Sequence, residues 1–266
     1  MKRKIRTLLI LLLFIMGYGS VNAVNAEDQN ISKSKAGEQK TAIQGQLTVS
    51  ELTNDTKYVL TSPARWNDSD WNNLLMYGGT TYLISRNDEH SRNWFQEKRS
   101  RGSNEIAKIG NAFPGVGLVY MGGTYFLGNE KQQQVATIGL ESAFGTFVAT
   151  ESLKAIFSRN RPSGSGERDS FPSGHTALAF SFATVISHEY KDDKYAGQVA
   201  YGLATITGLS RLNDNRHWAS DVVAGGLIGH YVAKTMIKLN ADPKSDLKVQ
   251  PYVDSDKAGI LVKKKM

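Results

Sequence analysis

Cysteine is absent from all 266 residues. That excludes disulfides as a source of stability and thiolates as metal ligands, and it excludes a lipid-modified cysteine behind the hydrophobic N-terminal segment. Long apolar runs are scarce as well. Mean hydropathy is −0.35, too polar for a polytopic membrane protein. Beyond the N-terminal segment, only Ile109 to Asn129 stays uncharged over the ~20 residues that a spanning helix needs. Because that stretch holds six glycines and a proline, it reads as a close-packed buried helix or helical pair, broken at Pro114-Gly115. No cluster of Asp and Glu offers the oxygen cage that Mg²⁺ prefers. No internal repeat and no second catalytic domain is recognisable.

What is present begins with charge. The formal net charge is +7, but its distribution is uneven. Lys2, Arg3, Lys4 and Arg6 precede the apolar run Leu8 to Met16, and small residues follow at Val21-Asn22-Ala23 and Val24-Asn25-Ala26. This is the pattern of a secretory signal over residues 1–26, cleaved after Ala23 or Ala26, and it predicts an exported, periplasmic or secreted protein. Without those four cations, 28 Lys and Arg face 25 Asp and Glu, a net charge of +3. Lys263, Lys264 and Lys265 carry that remainder. The body is close to neutral, so the basic balance is no argument for nucleic-acid binding.

Residues 27–50 are polar and poor in aromatics, which suits a flexible leader. Residues 51–242 form the expected helical domain, in which Leu52 to Leu60 fit a short extended or helical entry and helical periodicity and capping signals follow. An Asp68-Ser69-Asp70 cap precedes a helix from Trp71 to Arg86, and a charged, exposed helix is expected between Asn87 and Gly102. The next two helices run from Ser103 to Leu127 and from Gln133 to Phe157, the second with Ile138, Ala143, Phe144, Phe147, Val148 and Ile156 inward. Ser173 caps a helix from Gly174 to about Tyr190, and Lys194 to Leu209 follows. Arg216 or His217 opens the last core helix, which ends near Leu239. The fold expected is all-α, an antiparallel helical bundle with the active site at one end. In the remaining residues, 243–266, Leu247 to Val253 and Gly259 to Lys263 flank a polar turn and fit either a small β-hairpin or a loose tail.

Three clusters between Lys154 and Asp221 carry the chemistry. The first runs from Lys154 to Arg161-Pro162, the second is Pro172-Ser173-Gly174-His175, and the third runs from Ser210-Arg211 through His217 to Asp221. A helix N-terminus with glycine in its first turn presents free backbone N–H groups to an anion, which suits Ser173 and Gly174. Lys154, Arg161 and Arg211 add three cations. His217 and Asp221 stand one helical turn apart, so the carboxylate can fix the imidazole tautomer and leave the other ring nitrogen free to attack. His175 has no acid at that spacing and suits a proton donor. The set binds a phosphate ester and moves its phosphoryl group.

These eleven positions, Lys154, Arg161, Pro162, Pro172, Ser173, Gly174, His175, Ser210, Arg211, His217 and Asp221, resemble the signature of the type 2 phosphatidic acid phosphatase superfamily. That superfamily also includes bacterial non-specific acid phosphatases and vanadium haloperoxidases. The resemblance covers roughly Gly139 to Leu239. It implies a hydrolase that needs no metal or other cofactor, acting on phosphate monoesters or pyrophosphates through a phosphohistidine. In that scheme His217 is the nucleophile, Asp221 its orienting partner and His175 the acid and base. Lys154, Arg161, Ser173, Gly174 and Arg211 hold the phosphate. A lipid phosphate or a soluble monoester fits as substrate, with at most peripheral membrane contact. The competing functions are a vanadate-loaded haloperoxidase and an inactive membrane-associated binding protein. Only nine residues, Ser163 to Phe171, separate the first two clusters, which is short for the family. Arg159, Asn160 and Arg168 lie where they could touch substrate, while His90, His188 and His230 read as structural.

Overall fold

The computed structural model describes residues 49–241, 247–254 and 257–264. The expected signal and residues 27–48 lie outside the described residues, and Val49 already begins a helix. Helix α1 spans Val49–Leu60, and a 3-10 turn Ser62–Arg65 leads into α2, Asp68–Ser85. Then come α3 Asp88–Glu97, α4 Arg101–Leu127, α5 Glu130–Phe157, α6 Gly174–Glu189, α7 Ala196–Asn213 and α8 Ala219–Ala241. At the C-terminal end, β1 (Leu247–Asp254) pairs antiparallel with β2 (Lys257–Lys264), Pro251 facing Ile260.

Local chemistry explains most helix starts. Asn67, Ser100 and Asn129 each accept from the backbone three residues on, and the side chains of Asp70, Ser103 and Gln132 return the bond. Three capping boxes therefore open α2, α4 and α5. Helix α5 stops at Ser158, whose φ of 43° turns the chain out of the helix and sends Arg159 and Arg161 back across the end of the bundle.

The bundle is organised around α6, which packs on α4, α5, α7 and α8. Phe182 and Val185 of α6 join Met121, Val135, Ile138 and Ile237 in one apolar cluster, while Ala179, Phe180 and Ala183 meet Ala200 and Ala204 of α7 in another. The α6–α8 contact is backbone on backbone. A Cβ at Gly225 would lie 2.5 Å from the Ser173 carbonyl, and one at Gly229 1.9 Å from that of Ala177. Glycine is needed at both positions for the helices to touch, and the touch fixes the Ser173 turn relative to α8.

Four expectations need correction. Helix α4 is not broken at Pro114, which lies buried inside it. Proline removes the N–H that would reach the Gly110 carbonyl, and the Thr207 hydroxyl of α7 supplies that bond instead at 2.9 Å. Bare Gly110 lets α7 come that close, since a Cβ there would meet the Ile206 carbonyl at 2.6 Å. Nor is Ile109 to Asn129 a buried stretch. Only Ala107, Gly110, Pro114 and Met121 of α4 are buried, a single narrow stripe, so Val116, Val119, Phe126 and Leu127 face outward. Helix α5 likewise leaves Phe144, Phe147 and Ile156 exposed and turns its small residues inward, Ala136, Gly139, Ala143 and Gly145 among them. Large side chains cannot fit where helices approach this closely. Helix α3 is not wholly exposed either, because Asp88 and Ser91 are buried. Among the described residues, no helix is long and apolar enough to cross a membrane.

Candidate active site

The three clusters meet at one end of the bundle. Lys154 comes from the last turn of α5, Ser173 and Gly174 open α6, Arg211 sits in the last turn of α7, and Asp221 lies in the first turn of α8. Helix α8 opens at Ala219, two residues later than expected, so His217 stands in the connecting turn just ahead of it.

Ser173 is fully buried as the N-cap of α6, its hydroxyl 2.9 Å from that of Thr176. Its N–H donates to the backbone carbonyl of Asp221 at 3.0 Å, which ties the anion-binding turn to α8. A Cβ at Gly174 would stand 3.6 Å from Lys154 Nζ, so the ammonium hangs over the first turn of α6. That puts a cation beside free helix N–H groups, a good seat for a phosphate oxygen. The same ammonium pairs with Glu151 at 2.6 Å.

Arg161 makes two parallel 2.7 Å bonds to Asp169 and lies 3.2 Å from Glu167. Hydrogen bonding to Asp169 raises its pKa, and the same pairing holds the Asp169 carboxyl down at about 2. Arg211 is buried, and the loss of water lowers its pKa, partly offset by Asp214 at 3.6 Å. Its supports come from α4. The Ser210 hydroxyl lies 2.6 Å from Asn111 Oδ1 and 3.3 Å from Arg211 Nε, and Asn111 Nδ2 donates to Asp214 at 2.7 Å. Ser210 thus positions Arg211 through contacts on the protein side.

His217 is 6% exposed, and its partner is not the one expected. Nδ1 lies 2.7 Å from the backbone carbonyl of Ser170 and 3.8 Å from Asp221 Oδ2. A carbonyl only accepts, so Nδ1 carries the proton and Nε2 keeps its lone pair. The fully buried Asp221 carboxylate is engaged elsewhere. It accepts from the Ser170 hydroxyl at 2.6 Å, from the Trp218 N–H at 2.9 Å and from Arg159 at 2.7 Å. Four-residue spacing predicts adjacency on a helix, but His217 precedes the helix, and Ser170 occupies the gap.

His175, at the open side of the site, is more than a third exposed. Its pKa nevertheless falls to about 4, first because neighbouring protein strips part of its water, then because Arg211, His217, Lys154 and Arg161 repel its charge. A phosphate anion among those cations cancels the repulsion and favours the protonated imidazole that a leaving oxygen needs. Of the other histidines, His188 pairs with Glu189 at 3.0 Å. His230 is half-buried, its Nδ1 3.0 Å from the Thr184 hydroxyl and 3.2 Å from that of Tyr201, and desolvation lowers its pKa to about 4. Among the described residues, no group of three His, Asp or Glu side chains is arranged to hold a metal ion.

Two residues of the site region escape the sequence reading. Asp88 lies far upstream in a charged stretch with no local signal. Ser170 directly precedes the second cluster and looks like any polar loop residue. Arg159 turns inward to Asp88 and Asp221 rather than toward substrate.

Residues 135–244 match the family profile described as the PAP2 superfamily, and this segment is a PAP2 superfamily domain. Over 82 residues, 30% of this chain, the sequence is 46% identical to the lipid A 1-phosphatase of Porphyromonas gingivalis. The match spans only 18% of that protein's length. A transmembrane PAP2 type phosphatidylglycerolphosphate phosphatase from Bacillus subtilis superposes with a TM-score of 0.50 at 17% identity, over 74% of this chain and 97% of that one. At that identity the likeness speaks for the fold alone. The crystal structure of Aquifex aeolicus LpxE is also similar, with a TM-score of 0.47 at 23% identity, over 57% of this chain and 94% of that one.

Proposed function

We propose that this protein is a phosphatase that hydrolyses a lipid phosphate monoester or pyrophosphate through a phosphohistidine on His217, without a metal. The observation that carries the reading is electrostatic convergence. Lys154 of α5 hangs over the first turn of α6, where a Cβ at Gly174 would stand 3.6 Å from its Nζ, and Arg211 of α7 and His217 ahead of α8 come to the same end of the bundle. Such a pocket concentrates positive charge where three equatorial phosphoryl oxygens gather charge in the transition state, usually the largest catalytic contribution. His217 Nε2 attacks phosphorus in line. The P–O bond to the leaving group breaks, and His175 gives that oxygen a proton. Water, deprotonated by His175, then attacks the phosphohistidine and releases phosphate and the free imidazole.

A lipid substrate is supported by the outer surface. Helix α4 exposes Val116, Val119, Phe126 and Leu127, and α5 exposes Phe147, Ile156 and Phe157. The uncharged run of α4, some 20 residues, is about 30 Å long at 1.5 Å per residue. A lipid surface covers such a face, and Phe157 lies one turn beyond Lys154, so the apolar surface reaches the site. The leader-like N-terminus directs the protein to the periplasm, where the same lipid surface is met from outside.

The test is purified protein assayed in parallel on phosphatidate, a polyprenyl pyrophosphate and an aryl phosphate, with EDTA throughout. Phosphate release from a lipid substrate with vesicle binding is the expected result. Release only from the aryl phosphate removes the lipid assignment. Loss of all activity on chelation, restored by Mg²⁺, removes the mechanism.

A further inference from the structure

A chain of charges, with buried carboxylates and a half-buried arginine, runs away from His217 and ends on a helix outside the matched domain. Arg159 Nη1 donates to Asp221 Oδ1 at 2.7 Å and to the Ser220 hydroxyl at 2.7 Å, while Nη2 donates to Asp88 Oδ2 at 2.7 Å. Asp88, the first residue of α3 with a side chain 5% exposed, also accepts from the Ser220 N–H at 2.9 Å and from the Ser220 hydroxyl. The guanidinium therefore bridges two buried carboxylates and sits 5.4 Å from the Trp218 ring. Neither Arg159 nor Asp88 belongs to the eleven signature positions.

We propose that Arg159 and Asp88 are positioning residues for His217, holding the Asp221 carboxylate on Ser170 so that the Ser170 carbonyl, not Asp221, orients the attacking ring. The argument is geometric. Asp221 Oδ2 takes the Ser170 hydroxyl at 2.6 Å and the Trp218 N–H at 2.9 Å, and Oδ1 takes Arg159. With both oxygens committed, the carboxylate stays 3.8 Å from His217 Nδ1, which donates to the Ser170 carbonyl at 2.7 Å. Without Arg159, Oδ1 is a buried, unpaired charge, and such a charge seeks the nearest donor. The His217 Nδ1–H, 3.8 Å from Oδ2 of the same carboxylate, is a donor within reach. The ring would then swing toward Asp221 and carry Nε2 off the line of attack. Outer supports of this kind typically contribute 10- to 100-fold to activity, and small misplacements have costs of that size.

The inference rests on the phosphohistidine reading for its kinetic readout but not for its spectroscopic one. Three variants decide it: Arg159→Gln, Asp88→Asn and the double variant Arg159→Gln with Asp221→Asn. The measurements are the His217 Nδ1–H resonance, the melting temperature, and pre-steady-state phosphorylation by an aryl phosphate per folded molecule. In Arg159→Gln the Nδ1–H resonance should move downfield, as its acceptor changes from a carbonyl to a carboxylate. Phosphorylation should slow roughly 10- to 100-fold with KM within about threefold. Asp88→Asn should move both readouts the same way by less. The double variant should return the resonance toward its native position, because the competing carboxylate is gone. If the melting temperature falls while the resonance and the rate per folded molecule stay put, the network only ties α3 to α8, and the proposal is overturned. A wild-type protein that shows the carbonyl-bonded resonance but never phosphorylates refutes the phosphatase reading and leaves the resonance to judge the network.

Discussion

The two sides of the site hold their charges differently. Around His217 the carboxylates are dry: Asp221 is 0% exposed and Asp88 5%, each bonded on both oxygens. Around Lys154 and Arg161 the carboxylates are wet, with Glu151 at 46%, Glu167 at 50% and Asp169 at 45% side-chain exposure. A buried pair costs several kcal/mol to break, whereas an exposed pair contributes about 1 kcal/mol or less. On the proposed reading His217 is thus fixed in advance, while Lys154 and Arg161 carry partners that an incoming phosphate can displace. Preorganisation is spent where atoms must align, and exchangeable pairing is kept where charge must be traded.

The largest effects should come from the fixed side. His217→Ala removes the attacking nitrogen, so no phosphoenzyme should form from any substrate, read by rapid quench with labelled substrate. His175→Ala should depend on the leaving group. An alkoxide, as in phosphatidate, should lose on the order of 10²–10⁴-fold, whereas a nitrophenolate leaves without a proton and should phosphorylate the enzyme at a much less reduced rate. The second step also needs His175, so phosphohistidine should accumulate there. Acid-labile phosphate on the His217→Ala protein, with none on His175→Ala, would reverse the two roles.

Next in size is the scaffold that brings the two sides together. Gly229→Ala places a Cβ 1.9 Å from the Ala177 carbonyl, and a backbone cannot step aside as a side-chain tip can. The α6–α8 contact should open at a cost of about 3 kcal/mol, seen as a clear fall in urea midpoint, with catalysis lost alongside because Ser173 and Asp221 separate. Gly122→Ala is the counterpart. No neighbouring atom lies within 4 Å of its Cβ, and alanine should stabilise the helix by about 0.5–1 kcal/mol. Equal responses at both positions would contradict the backbone contact.

These contrasts show what the sequence could and could not carry. Helix existence was legible, since capping residues at Asn67, Ser100 and Asn129 act within three residues of themselves. The meeting of the three clusters at one end of the bundle was legible because each lies at a helix end. The inward faces of α4 and α5 were not. Phe144, Phe147 and Val119 look like core by hydrophobicity, yet helices that meet through Gly110, Gly139 and Gly145 leave no room for them. Pro114 was read as a break because the bond that repairs it comes from Thr207, far along the chain. Ser170 and Asp88 were invisible for the same reason, as both act through partners at least 47 residues away.

A smaller effect should separate the interior from the site mouth through acid. His230 has its pKa lowered to about 4 by burial. A histidine with a depressed native pKa favours the folded state fully above its unfolded value near 6.5, and that advantage fades as pH falls from there toward 4. Unfolding free energy should therefore drop by about 3 kcal/mol across that window on account of His230. His230→Gln should flatten the slope, even if the protein is less stable at pH 7. An unchanged slope would mean that the ring is charged and hydrated in the native protein.

The smallest effect belongs to the wet side. Asp169→Asn frees Arg161 from its strongest partner, the two parallel 2.7 Å bonds. If that carboxylate stands where a phosphate oxygen must go, the variant should bind substrate more tightly, with KM lower by roughly three- to tenfold, about 1 kcal/mol, and kcat nearly unchanged. Acid cannot substitute for the mutation. The Asp169 carboxyl is held down at about 2 by its bonds to Arg161, so it stays ionised and paired at both pH 5 and pH 7. The gain should accordingly be the same at pH 5 and pH 7. A higher KM in Asp169→Asn would show instead that the carboxylate aims the guanidinium at the phosphate, and Arg161 would move to the preorganised side of the comparison.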